Sequence, residues 1–257
     1  MPGAYLAANL ITSNATITTS TEDASYPKAN LYDRQAARVF RGTSLTALTV
    51  LIDFGAAVAA NTIALINHNL TASATLNLKA GAASPPGATV ATPLYRAHDL
   101  WKSFTSASYR YWLLTIADTN TEALEIGQLI IGARVSMPRA RRIGPPYRPA
   151  TKRNTIPGET YAGVFWNYHL FQRKAFNPTF RVGSVAELAI LTALDTAAYG
   201  NVYPFLYIPD GAAADCYYVR KEPDFEPEEV SRITGRELVH DYQMTLTEES
   251  RGLDIKA

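Results

Sequence analysis

Four histidines, His68, His98, His169 and His240, are the side chains best placed for acid–base or metal chemistry near neutral pH, and they are scattered. No pair of them falls at the helical spacing that would let two imidazoles share a metal. The sequence contains no G-x-S-x-G elbow, P-loop, H-E-x-x-H or dinucleotide fingerprint. His98-Asp99 is the one adjacent pair of acid–base type, but neighbours on a loop rarely face each other, and a solvated loop accounts for them. The lone cysteine, Cys216, excludes an intrachain disulfide and a multi-cysteine zinc site. On an apolar strand it is expected to be a small core residue. Catalytic groups can converge from distant positions. The residues nevertheless offer no catalytic set, no cofactor-binding set and no metal ligands, so the expectation is a protein that is not an enzyme and has no cofactor.

Two other groups of residues could bind. Trp101, with Tyr95, Arg96 and His98 close by, could present an aromatic face to a sugar ring while polar neighbours fix its orientation; these four are the candidate glycan contacts. The competing account makes Trp101 a plug beneath its own loop. The second group is a basic run from Arg134 to Arg153 with four prolines and no acidic residue, set against the acidic Glu222, Asp224, Glu226, Glu228 and Glu229. Arg139, Arg141 and Arg142 of one copy could meet Glu226, Glu228 and Glu229 of another, which would fix register between subunits. A plain solvated linker is the alternative. Nucleic acid is the weakest option, because the prolines make the run a poor groove-reading helix.

These residues need a frame. The chain has 257 residues, 47% hydrophobic and 18% charged, with a formal net charge of +1. That suffices for a core, argues against overall disorder, and leaves electrostatics to local patches. Period-two alternation predicts strands at 48–54, 62–66 and 75–79, and two apolar runs add strands at 109–116 and 125–131, the pattern of a sandwich or barrel. A long loop is expected over 80–108. Ser184-Val185-Ala186-Glu187 is a capping box that opens one clear helix, and Gly200 ends it. Strands follow at 202–208, 215–220 and 240–247. The expected division is a jelly-roll β-sandwich over 1–133, a basic proline-rich linker over 134–153 and a smaller α+β domain over 154–257. The N-terminus lacks the pattern of a secretion signal, and the apolar stretch from Leu45 to Ile66 is interrupted by Asp53 and Asn61, so neither secretion nor membrane insertion is expected.

In order along the first half, several segments resemble galactose-binding-like (discoidin-like) domains. These are Tyr26-Pro27-Lys28-Ala29-Asn30-Leu31-Tyr32-Asp33, Leu51-Ile52-Asp53-Phe54-Gly55, Ile63 to Leu70, Arg110 to Ile116, and Glu125 to Gly132. Ser184 to Phe205 and Tyr242 to Glu249 are similar to segments of phage tail-tip and distal-tail proteins. The resemblance implies a jelly roll followed by an assembly domain in a multimeric component of a phage tail tip or baseplate. Its partners would be itself and other tail proteins, and its location the virion, after synthesis in the host cytoplasm. The alternative it implies is an adhesion module for host-surface glycans. Members that hold a structural calcium follow the asparagine–leucine pair with Asp-Gly-Asp. Here Asp33-Arg34-Gln35 stands in its place and leaves one carboxylate where a calcium site wants several oxygen ligands, so calcium is not predicted and its retention is left to the structure.

Overall fold

Alternation along the chain sets the first layer. Leu48, Val50 and Ile52 are buried while Thr49, Leu51 and Asp53 are half-buried, and Leu76, Leu78 and Ala80 alternate with their neighbours in the same way. The computed structural model describes residues 4–137, 150–159, 161, 165–182, 184–209, 215–222 and 240–249. Its first half holds β1 (Tyr5–Ala7), β2 (Thr16–Thr19), a 3-10 turn at Lys28–Leu31, β3 (Phe40–Arg41), β4 (Ala47–His68), β5 (Thr75–Gly81), β6 (Ala88–Ala91), β7 (His98–Ala117), β8 (Glu125–Gly132) and β9 (Arg134–Ser136). The second half holds β10 (Ala150–Glu159), β11 (Phe165–Phe176), β12 (Thr179–Val182), α1 (Val185–Ala197), β13 (Phe205–Ile208), β14 (Tyr217–Lys221), β15 (His240–Gln243) and β16 (Leu246–Glu248). The chain is thus mainly β, with a sandwich followed by a smaller α+β part, as its sequence predicts.

The sandwich is built on one long antiparallel pair. β4 and β7 pair from Ala47↔Ala117 to His68↔His98, with register shifts after Asp53, Ala60 and Ile66. Such irregularities bend a ladder. The near halves join β2, β5 and β6, and the far halves join β8, which carries β3 at its edge. Between the two layers lies one core containing Leu48, Ile52, Trp112 and Ile116 from one side and Ile63, Leu65, Leu129 and Ile131 from the other. The loop expected over 80–108 is therefore interrupted: β6 forms an edge strand on β5, and β7 already starts at His98. From His98 to Tyr111 only Leu100 of β7 is buried, so no alternation marks that stretch as a strand.

A second sheet, ordered β10-β11-β16-β14-β13-β1-β9, covers the outer face of the far layer. Ala64, Ile66 and Ile130 point into a cluster with Ala7, Leu206, Ile208 and Tyr218. β8 is therefore buried from Ile126 to Gly132 without alternation, since both of its faces are covered. The layers come close: a Cβ added to Gly132 would lie 2.5 Å from the Ala8 carbonyl oxygen.

The second sheet draws strands from both sides of the division expected at Arg134. β1 pairs with β13 (Tyr5↔Ile208) on one side and with β9 (Tyr5↔Ser136) on the other. The segment expected as a linker begins as β9 and ends within β10, and residues 138–149 lie outside those described. At Arg134 the charge that reads as solvated instead stacks 4.1 Å from the Tyr5 ring centroid. The Arg134 N–H donates to Asn61 Oδ1 (2.5 Å), and its carbonyl accepts from Asn61 Nδ2 (3.3 Å).

Helix α1 starts where the capping box predicts. Ser184 Oγ accepts from the Glu187 N–H at 3.2 Å, and Gly200 takes φ +68 just beyond the helix. Leu191, Leu194 and Ala198 pack into a second core with Phe176, Phe205, Val219, Met244 and Leu246. The strand expected over 240–247 breaks in two: β15 pairs with β12 and β16 joins the large sheet.

Candidate functional site

At the end of the sandwich where the end of β4 pairs with the start of β7 (His68↔His98), two residues take left-handed backbone conformations, Asn67 (φ +54) and His98 (φ +71). Asparagine and histidine are among the non-glycine residues that adopt this region most readily. The turn is held by Asp99, whose N–H donates to the Ala97 carbonyl (3.0 Å) and whose Oδ1 accepts from the Asn67 N–H (2.9 Å). The left-handed step leaves the His98 side chain exposed. Backbone strain of this kind often marks sites where side-chain placement matters.

Opposite this turn stand Lys174 near the base of β11 and Asp215, Cys216 and Tyr217 leading into β14. Together with Arg96 to Asp99 they line a cleft of about 440 Å³. Lys174 is positioned from two sides. Its N–H donates to Glu248 Oε2 (3.1 Å), while its Nζ donates to the Tyr217 hydroxyl (3.3 Å) and lies 4.6 Å from that ring's centroid. Arg96, His98 and Asp215 are exposed, whereas Cys216 and Tyr217 are buried in the floor. Two carboxylates balance one guanidinium and one ammonium, so the cleft is polar without strong net charge. It is rich in both donors and acceptors, which suits hydroxyl groups that must do both.

Other concentrations of charge are structural. Asp53 accepts two bonds from the Arg110 guanidinium (2.7 and 2.8 Å) and one from the Gly55 N–H (2.7 Å). The Arg110 bonds foremost hold its carboxyl well below the usual range, at about 2. Asp118 accepts from the N–H groups of Thr71 (2.8 Å) and Thr119 (2.7 Å) and so fastens two loops together. Glu222 accepts from Thr247 Oγ1 (2.6 Å) and Lys152 Nζ (3.2 Å), and these bonds lower its pKa. Lys152 belongs to the basic run and Glu222 to the acidic one, so these two meet within a single chain. Burial pushes the Tyr218 phenol above its ordinary range.

The segment around Asp33-Arg34-Gln35 is tied down by a buried amide. Gln128 is fully buried, and its Nε2 donates to the Asn30 carbonyl (2.8 Å), Asp33 Oδ1 (2.9 Å) and the Gly127 carbonyl (2.8 Å). Its Oε1 accepts from the Arg34 N–H at 3.1 Å. Asp33 Oδ2 lies 3.3 Å from Arg38. Oxygens that could have ligated a cation converge on an amide nitrogen, so these residues do not fit a calcium ion. Among the described residues no group of three or more His, Cys, Asp and Glu could hold a metal, and no helix is long and apolar enough to cross a membrane.

Of the candidate glycan contacts, Arg96 and His98 line the cleft. Trp101 does not: it is half-buried against the cluster between the layers, with Nε1 enclosed and lacking a hydrogen-bond partner. Tyr95 packs on the sandwich core, its ring centroid 6.3 Å from that of His68. Arg139, Arg141, Arg142, Glu226, Glu228 and Glu229 lie outside the described residues. Sequence reasoning missed Lys174, Asp215 and Tyr217, which carry no motif and reach the cleft only because the second sheet stacks on the sandwich.

No protein-family model matches the chain, and no curated protein matches it by sequence. Solved structures similar to it include a chitosan-binding module from a Paenibacillus chitosanase/glucanase, at 15% identity and TM-score 0.42, covering 49% of this chain and 99% of that one. Another is a Clostridium perfringens carbohydrate-binding module in complex with GalNAc-β-1,3-galactose, at 10% identity and TM-score 0.41, covering 47% of this chain and 96% of that one. A third is the C-terminal domain of a Bacteroides fragilis chitobiase, at 19% identity and TM-score 0.42, covering 50% and 99%. At such identities the likeness says nothing of what this chain binds.

Proposed function

We propose that the chain is a non-catalytic carbohydrate-binding protein whose ligand sits in the cleft between the sandwich and the second sheet. The observation that carries this is the lining: Arg96, His98, Asp99, Lys174 and Asp215 surround about 440 Å³ with donors and acceptors in near-equal charge. A neutral saccharide satisfies both kinds of group, whereas an anion would meet two carboxylates. The test is titration of the full chain with a panel of neutral mono- and disaccharides, read by calorimetry and by NMR. Binding by the wild type is expected, with at least a tenfold loss in Asp215→Ala and in Arg96→Ala and no cleavage of the sugar. Failure of the whole panel to bind, or binding unaffected by both substitutions, overturns the assignment.

A second reading, a structural component of a phage tail tip or baseplate, is supported by a different feature. β10 and β11 pair with each other along ten residues of β10, from Ala150↔Ala175 to Glu159↔Phe165, yet among the described residues β11 joins the rest of the sheet only through Ala175 and Phe176. A two-stranded ribbon is at best marginally stable alone, so an arm of this kind suits a protein that works in contact with neighbours. In that reading the protein is located in the virion and its partners are further copies and other tail proteins. Incorporation of tagged chain into particles tests it, and exclusion from them would end it.

A further inference from the structure

Among the described residues, two exposed apolar surfaces of this chain match each other. The first is on the ribbon: Phe165, at the far end of β11, is 78% exposed, and Tyr161, a turn residue before it in the chain, is fully exposed. The second is on α1. This helix has only Glu187 and Asp195 as charged residues in VAELAILTALDTA, and a helix apolar nearly all round belongs in an interior. Yet Val185 and Leu188 on α1, and Tyr199 and Val202 just beyond it, are exposed. Between α1 and the sheet lies an open apolar groove of about 120 Å³, lined by Leu188, Leu191, Leu194, Ala198, Phe205 and Met244. Its one charged pair, Lys221 with Asp195, is internally neutralised.

We propose that Phe165 of one copy seats in the α1 groove of a second copy, joining copies head to tail. Three observations single out a second copy as the occupant. The groove has room for one aromatic side chain, and an exposed one stands on an arm of the same chain. Among the described residues no groove-lining residue belongs to β10 or β11, and the exposed Phe165 does not fill the groove of its own chain. The arm also has the reach: ten residues of strand extend about 33 Å. Its edge strand carries Lys152 and Pro157, features that discourage edge-to-edge strand pairing and leave the aromatic end as the sticky element. Because knob and groove are different surfaces, the contact is heterologous and generates a ring where the rotation closes, or a filament where it does not.

The contact is separate from the sugar cleft, so either can fail while the other stands. The experiment is sedimentation velocity and light scattering on the full chain from micromolar to near-millimolar concentration. The wild type is expected to assemble beyond the monomer as concentration rises. Phe165→Glu removes the knob and Val185→Glu, at an 84% exposed position on the groove's helix, charges its approach; both should remain folded monomers. Leu188→Glu, within the groove itself, should do the same, and circular dichroism verifies the fold of all three. A mixture of Phe165→Glu with Leu188→Glu is diagnostic. Each has one competent surface, so the mixture should give a one-to-one dimer and nothing larger. A wild type monomeric throughout the range, a Phe165→Glu variant that assembles like the wild type, or a mixture without dimer would each overturn the proposal.

Discussion

Replacing Gln128 by leucine should destabilise the sandwich far more than a buried polar-to-apolar exchange of similar size would suggest. The amide has two hydrogens for three surrounding oxygens, so the bonds to Asn30 O and Asp33 Oδ1 are the strong pair, with the neighbouring Gly127 O sharing. Leucine leaves those two acceptors and the Arg34 N–H without Gln128. Each group stranded in a buried site costs about 1–3 kcal/mol. Asp33 Oδ1 keeps the Gln35 N–H as a donor (2.9 Å), which lowers the total to roughly 3–5 kcal/mol. For a chain of this length each kcal/mol moves the melting temperature by about 2–4 °C, so a fall on the order of 10 °C is expected. The assay is a thermal melt followed by circular dichroism, with exposed Gln35→Leu as the control. A Gln128→Leu melt indistinguishable from the control would show that water or rearrangement replaces the amide and that it does not pin the 30–34 segment to β8.

Asp53 titrates at about 2 because Arg110 hydrogen-bonds its carboxylate. Its folded pKa lies below the unfolded ~3.9, so its stabilisation is present above that value and is lost as pH falls towards the folded pKa. Urea midpoints of Asp53→Asn should therefore vary less than the wild type's in this acid window, with the difference shrinking in high salt; parallel pH profiles would refute it. Trp101→Ala should lower stability by up to about 3 kcal/mol, less than a fully buried aromatic, and leave sugar affinity unchanged at equal folded fraction. A selective loss of affinity with an unaltered melt would instead restore Trp101 as a ligand contact.

What was legible in the sequence depended on how many faces of an element are covered. The halves of β4 and β7 nearest the first layer have one buried face, so Leu48, Val50 and Ile52 announce themselves by alternation. Leu129, Ile130 and Ile131 cannot, because the second sheet covers the other side of β8. The Ser184 cap and the Gly200 stop are local chemistry and could be read directly. Three-residue β1 is too short to show a period, and its partners lie far along the chain. The candidate site was half visible for the same reason: Arg96 and His98 sit on one turn with an unusual composition. Lys174 and Asp215 arrive by sheet packing, which leaves no spacing rule behind.

The placement of β1 also sets an order of events during synthesis. Tyr5–Ala7 emerges early and meets β9 after some 130 residues, but its other partner, β13, follows roughly 70 residues later. At ~5–20 residues per second that second interval alone lasts several seconds. Throughout it the sandwich has its strands, while Ala64, Ile66 and Ile130 still lack the cover of Leu206 and Ile208. A nascent chain halted before residue 205 would therefore carry an adhesive apolar sheet on a nearly finished domain. Such a chain is the form in which this protein should depend most on a chaperone.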